Sequence, residues 1–153
     1  RFNKEGGMTR EVISHFIFFS ERVLGLLELK WAKVIYPKDK LLCETDVLAR
    51  LETRDSKCVN ILASVGGTQP DRQEMTVRGT AKSRRISEFY KDSESNGMEF
   101  IPLREEPKDP RAVSLKAQLD DLEKAYNGHP NKLATVDEAL RVQVLIESIL
   151  ASK

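Results

Sequence analysis

The stretch VLARLETRDSKCVNILASV, residues 47–65, decides the fold. Val47, Ala49 and Leu51 alternate with Leu48, Arg50 and Glu52. A charged run follows, Arg54-Asp55-Ser56-Lys57, and then Val59, Ile61, Ala63 and Val65 recur at every second position. Successive side chains of a β-strand point to opposite faces, so this period keeps one side dry. Two such runs joined by a short polar turn predict a hairpin.

Working outward, Leu27, Leu29 and Trp31 alternate with Glu28 and Lys30, which predicts a third half-buried strand ending near Pro37. On the other side, Gly66-Gly67-Thr68-Gln69-Pro70-Asp71 interrupts the pattern. A second hairpin is predicted from residues 74–78 and 84–90, turning at 79–83. Residues 91–97 read as a polar loop and 98–103 as one more short strand.

Helices flank these strands. Residues 9–24 carry Val12, Phe16, Phe19 and Val23 on one face of a 3.6-residue period, with Thr9 as N-cap and Gly25 as stop. Asp109-Pro110 opens a second helix with Pro at the first helical position, an apolar stripe of Ala112, Leu115, Leu119 and Leu122, and a stop at Asn127-Gly128. Thr135-Val136-Asp137-Glu138 has the spacing of a capping box, and the last helix turns Val142, Leu145, Ile146 and Ile149 inward. Helix, five or six strands, then two helices, with no strand–helix alternation, predicts one α+β domain: a largely antiparallel open sheet with helices on one face.

Composition narrows the function. With 153 residues, 25 Lys+Arg against 24 Asp+Glu and a net charge of +1, the chain has the length of one domain and no general attraction to nucleic acid or an anionic membrane. No apolar run approaches the roughly 20 residues that span a bilayer, and no secretory signal follows Arg1. A first residue other than Met points to a processed chain or a piece of a longer protein, and the expected location is cytoplasmic. Cys43 and Cys58 read as small buried hydrophobes in a reducing compartment, with a disulfide as the alternative. Two cysteines and two separated histidines give no zinc spacing. The eight glycines form neither G-x-G-x-x-G nor a phosphate loop.

Chemistry concentrates on Glu11 and His15. Four residues apart on a helix, they share a face, and a carboxylate beside an imidazole raises its pKa and holds its ring, as a general acid/base near neutral pH requires. A solvated helix flank is the plainer reading of the same spacing. Arg78, Lys82, Arg84 and Arg85 read as a wet hairpin edge, since the aromatic interleaving of single-strand binders is missing. His129, before Pro130, reads as a surface loop residue.

The run Gly6-Gly7-Met8-Thr9-Arg10-Glu11-Val12-Ile13-Ser14-His15 resembles the Gly-Gly-x-x-x-Asp-x-x-x-His motif of the Gfo/Idh/MocA oxidoreductases. Gly25 closing the motif helix, Val77-Arg78-Gly79-Thr80 in a hairpin, and the closing helix from Thr135 agree in order. The resemblance implies the C-terminal α+β domain of such an enzyme, without its N-terminal Rossmann domain. His15 then takes the acid/base role and Glu11 the role of the family's Asp. NAD or NADP is held by the other domain and not by this chain, which is inactive when isolated. The implied substrate is a sugar, polyol or related hydroxy compound. The implied assembly is a homo-oligomer through the sheet face, fed by alternating strands such as Leu27/Leu29/Trp31. Glu11 is one methylene longer than the family's Asp, and the family's Glu-Lys-Pro segment is not in the chain. A non-catalytic binding or regulatory protein that keeps the fold is the alternative implied function.

Overall fold

The computed structural model describes residues 5–39 and 41–152. They form two compact units, the described residues up to 68 together with 134–152, and residues 69–133.

The first unit holds a three-stranded antiparallel sheet: β1 (Leu27–Ile35), β2 (Asp46–Thr53) and β3 (Cys58–Ser64), in the order β1-β2-β3. The expected hairpin is β2–β3, with Leu51 opposite Val59, Ala49 opposite Ile61 and Val47 opposite Ala63. A π-helical turn, Thr9–Ile13, leads into α1 (Ser14–Leu24), and α3 (Val136–Leu150) follows the other unit. Val47, Ala49 and Leu51 face Ile13, Ile17, Val142, Leu145, Ile146 and Ile149, all buried in one core. The helices therefore cover a single sheet face, while Trp31, Leu48 and Leu62 stay exposed on the other.

Strand β1 departs from simple alternation. The ladder slips between Leu29 and Trp31, so that Leu29 pairs with Leu51 and Trp31 with Arg50. The extra residue, Lys30, makes a β-bulge. Leu27 is buried and Leu29 packs on the core, and beyond the bulge Ala32 and Val34 do so. Trp31 is turned outward. The expected Leu27/Leu29/Trp31 face is thus divided between the two sides of the sheet, because period 2 allows no inserted residue.

The motif helix also differs from expectation. Its inward set is Thr9, Ile13, Ile17 and Ser20, whereas Phe19 and Val23 are exposed. In Phe16-Ile17-Phe18-Phe19 every position is apolar, so more than one stripe fits the sequence, and tertiary packing selects among them. Thr9 is not the N-cap: it lies inside the π turn, fully buried. Gly25 ends α1 with φ 105°, the left-handed backbone that favours glycine. The capping box of α3 is present, with the Thr135 N–H donating to Glu138 Oε2 at 2.8 Å and the Glu138 N–H to Thr135 Oγ1 at 3.2 Å.

The second unit is an antiparallel meander, β4 (Glu74–Arg78), β5 (Ser83–Ser87), β6 (Lys91–Ser95) and β7 (Ile101–Pro102), followed by α2 (Pro110–Tyr126). The fold class is α+β and antiparallel as expected, but the strands pair as two sheets, with no ladder between β3 and β4. The Gly-rich loop at 66–71 separates them in sequence. The expected polar loop at 91–97 is largely strand β6. Its side chains are polar throughout and gain from cross-strand ion pairs rather than apolar alternation, Arg84 reaching Glu94 at 2.9 Å and Asp92 at 3.7 Å. Strand β5 ends at Ser87 instead of Tyr90, because Glu88 and Phe89 take φ of 51° and 64° and reverse the chain. That pair of positive φ values is what a tight hairpin turn needs, and Glu-Phe gives no such signal. Asp109 caps α2 by accepting the Arg111 and Ala112 N–H groups. Its leucines, Leu115, Leu119 and Leu122, are exposed.

Candidate functional site

The Gly-Gly motif is built around a carboxylate. Glu44, in the connection before β2, is 1% exposed, and its Oε1 accepts the Thr9 N–H at 2.7 Å. The groups at a helix start that lack intrahelical acceptors are thereby met by an anion, which also suits the helix dipole. Gly7 makes this approach possible. Its φ is 105°, and a Cβ there would lie 2.5 Å from Glu44 Oε2 and 2.9 Å from Cys43 Cβ.

The same turn is tied to α3. Arg10 grips Glu147 with two parallel bonds, Nε to Oε1 at 2.9 Å and Nη2 to Oε2 at 2.8 Å, and its Nη1 donates to the Gly6 carbonyl at 3.3 Å. The Arg10 bond holds the Glu147 carboxyl below its ordinary range, and the Arg10 guanidinium is raised in turn. Tyr36 donates to the Leu150 carbonyl at 2.9 Å, and burial pushes its phenol up. At the far end of α1, Arg22 makes a second two-bond grip on Glu138, both at 2.9 Å. Together with the Thr135 N–H, that bond brings the Glu138 carboxyl down to about 2. Planar guanidinium–carboxylate pairs fix orientation as well as distance, so the motif helix is clamped to α3 at both ends.

Glu11 and His15 lie one turn apart on the exposed side of this clamped helix. The shallow depression nearest α1's C-terminal end is lined by Phe18, Glu21, Arg22, Leu26, Glu138 and Arg141, and neither Glu11 nor His15 belongs to it. The pair is therefore displayed from a rigid support, not enclosed by these residues. His129 is exposed, as expected of a loop. Within the basic hairpin, Lys82 and Arg84 pair with Glu94, and Arg85 pairs with Glu74 at 3.4 Å while lying over the Phe100 ring. Cys43 and Cys58 are both free thiols; Cys43 is buried, but Cys58 is exposed, with its sulfur 2.6 Å from Arg50 Nη2, contrary to the expected buried pair. The outer side of a three-stranded edge offers it no cover.

Every strand pair among the described residues is antiparallel. A Rossmann pyrophosphate site needs a parallel strand running through a glycine turn into a helix, so these residues do not fit a dinucleotide in that manner. Among them no three His, Cys, Asp or Glu side chains gather as metal ligands, and no helix is long and apolar enough to cross a membrane.

Glu44, Arg10 and Glu147 had no individual signal in the sequence. A glutamate in Cys43-Glu44-Thr45-Asp46 looks like part of a polar turn; the one available signal was the glycine it crowds, Gly7, which the sequence alone reads as a flexible entry to the helix.

No protein-family model matches the chain, and no curated protein does. Solved structures do match. A dehydrogenase from Clostridium difficile (MviM) superimposes with a TM-score of 0.72 at 11% identity, over 93% of this chain and 46% of its own. The WlbA dehydrogenase from Bordetella pertussis, solved with NADH and UDP-GlcNAcA, gives 0.67 at 16% identity, over 94% and 44%. KijD10, a 3-ketoreductase from Actinomadura kijaniata solved with TDP-benzene and NADP, gives 0.67 at 15% identity, over 93% and 46%. The chain thus has the fold of one part of these enzymes, an α+β fold of the kind that the resemblance of Gly6–His15 implied. It spans less than half the length of these structures.

Proposed function

We propose that this chain is the substrate-binding and dimerising C-terminal domain of an NAD(P)-dependent oxidoreductase that acts on a sugar, polyol or related hydroxy compound. Sugar nucleotides are the first class to try, because WlbA and KijD10 were solved with nucleotide ligands. The observation that carries the reading is the conjunction of fold and motif: a chain similar over 93–94% of its length to these enzymes also has Gly6-Gly7 at the entry to the clamped helix that carries His15. In this reading the cofactor is held by a separate Rossmann domain of the intact protein, and the isolated chain is inactive. His15 exchanges the proton of the substrate hydroxyl or carbonyl, and Glu11 steadies the imidazole from one turn away. Substrate and the cofactor-bearing domain would supply the cover that the exposed pair lacks. The outward sheet face with Trp31, Leu48 and Leu62 would meet a second copy.

A non-catalytic protein that keeps the fold is the second reading, favoured by the exposure of His15 and by Glu in place of Asp at position 11. The deciding experiment is turnover of NADH and NADPH by the intact protein across a sugar-nucleotide and polyol panel, with His15→Ala beside it. A loss of roughly 100-fold or more on substitution supports the acid/base role; turnover unchanged by it rejects that role. No turnover on any substrate leaves the binding-protein reading in place.

A further inference from the structure

We infer that Glu44 is a positioning residue for the Glu11–His15 pair, an inference that rests on the acid/base reading of His15 given above. The path is short. Glu44 Oε1 holds the N–H of Thr9 at 2.7 Å, and the carbonyl of Thr9 in turn accepts the N–H of Ser14, five residues on and next to His15. Thr9 is therefore pinned from both sides, by Glu44 in front and by the residue that precedes the imidazole behind.

That five-residue step is a π turn. It holds one residue more than an α turn, an arrangement uncommon in helices and frequent at functional sites. If Thr9 is released, the turn can tighten to the α pattern, in which the Thr9 carbonyl accepts from Ile13. Removing one residue from the turn rotates everything before it by about 100° relative to His15, since an α-helix has 3.6 residues per turn. Glu11 sits inside the turn, so its placement around the helix axis relative to His15, and with it the approach of the carboxylate to the ring, would change. Solvent does not stand in for Glu44, because Thr9 is fully buried. Gly7, which a side chain would drive into Glu44, completes the device.

The test uses the full 153-residue chain, labelled for NMR. Glu44→Ala should speed amide exchange of Thr9 and Ser14 by about 10- to 100-fold, the opening expected when a charge-assisted hydrogen bond is lost, with Leu51 and Ile146 unchanged. The His15 ring resonances and their pH titration should depart from those of the parent chain. Glu44→Gln keeps an acceptor oxygen and should restore both. A folded Glu44→Ala chain with parental exchange at Ser14 and an unmoved His15 ring overturns the inference. If that variant does not fold, Glu44→Asp, one methylene short, decides by the same two readouts. Neither readout needs turnover, so an inactive intact protein would defeat the functional reading while leaving this result standing, and a parental His15 signal would do the reverse.

Discussion

Gly7 and Gly25 share the same backbone angle, φ 105°, and differ in surroundings: a Cβ on Gly7 meets Glu44 and Cys43, while one on Gly25 meets nothing within 4 Å. Alanine at each position separates strain from packing. Gly25→Ala should cost only the left-handed backbone, about 1–2 kcal/mol. Gly7→Ala carries the same strain plus the displacement of a buried carboxylate, about 1–3 kcal/mol more by the usual cost of overpacking. Urea unfolding followed by the single tryptophan, Trp31, reports on the sheet of β1–β3. With a denaturant slope of about 1–3 kcal/mol per molar, the midpoint for Gly7→Ala should fall about 1 M below that for Gly25→Ala. Equal midpoints would refute the claim that Gly7 is glycine because Glu44 presses on it.

Leu51 is fully buried in the centre of the sheet and Leu62 is 86% exposed on its outer side. Leu51→Ala should destabilise by about 2–5 kcal/mol and Leu62→Ala by no more than about 0.5 kcal/mol in the same unfolding assay. Glu138 has a carboxyl brought down to about 2 by Arg22 and Thr135, against about 4.3 in an unfolded chain. A depressed folded pKa means the stabilisation is fully present above the unfolded value and is lost as pH falls from about 4.3 toward 2. Arg22→Gln should therefore flatten the loss of stability across that interval, measured by urea midpoints at stepped pH.

The hairpin at 47–65, the capping box at Thr135 and the inward set of α3 were legible because each is a local pattern with one physical meaning. Strand β6 was not, since Lys91-Asp92-Ser93-Glu94-Ser95 has no apolar period and is held by charges that only its partner strand reveals. The face of α1 was ambiguous for the opposite reason, an excess of apolar positions. For the site, the motif residues Glu11 and His15 could be located on their helix from spacing alone. What holds that helix in place lies 35 to 137 residues away in sequence, at Glu44 and Glu147, and no local pattern encodes such a contact.

The bulge at Lys30 gives β1 an unusual tolerance. Lys30 and Trp31 together oppose Arg50, so the segment before this point and the segment after it each keep their own inside and outside. A chain shortened by that one lysine would still bury Leu29 and Ala32 and still present Trp31 to the surroundings. Variation in length here leaves both halves of the strand right side out, whereas one residue added or removed at Ala49 would turn half of β2 inside out.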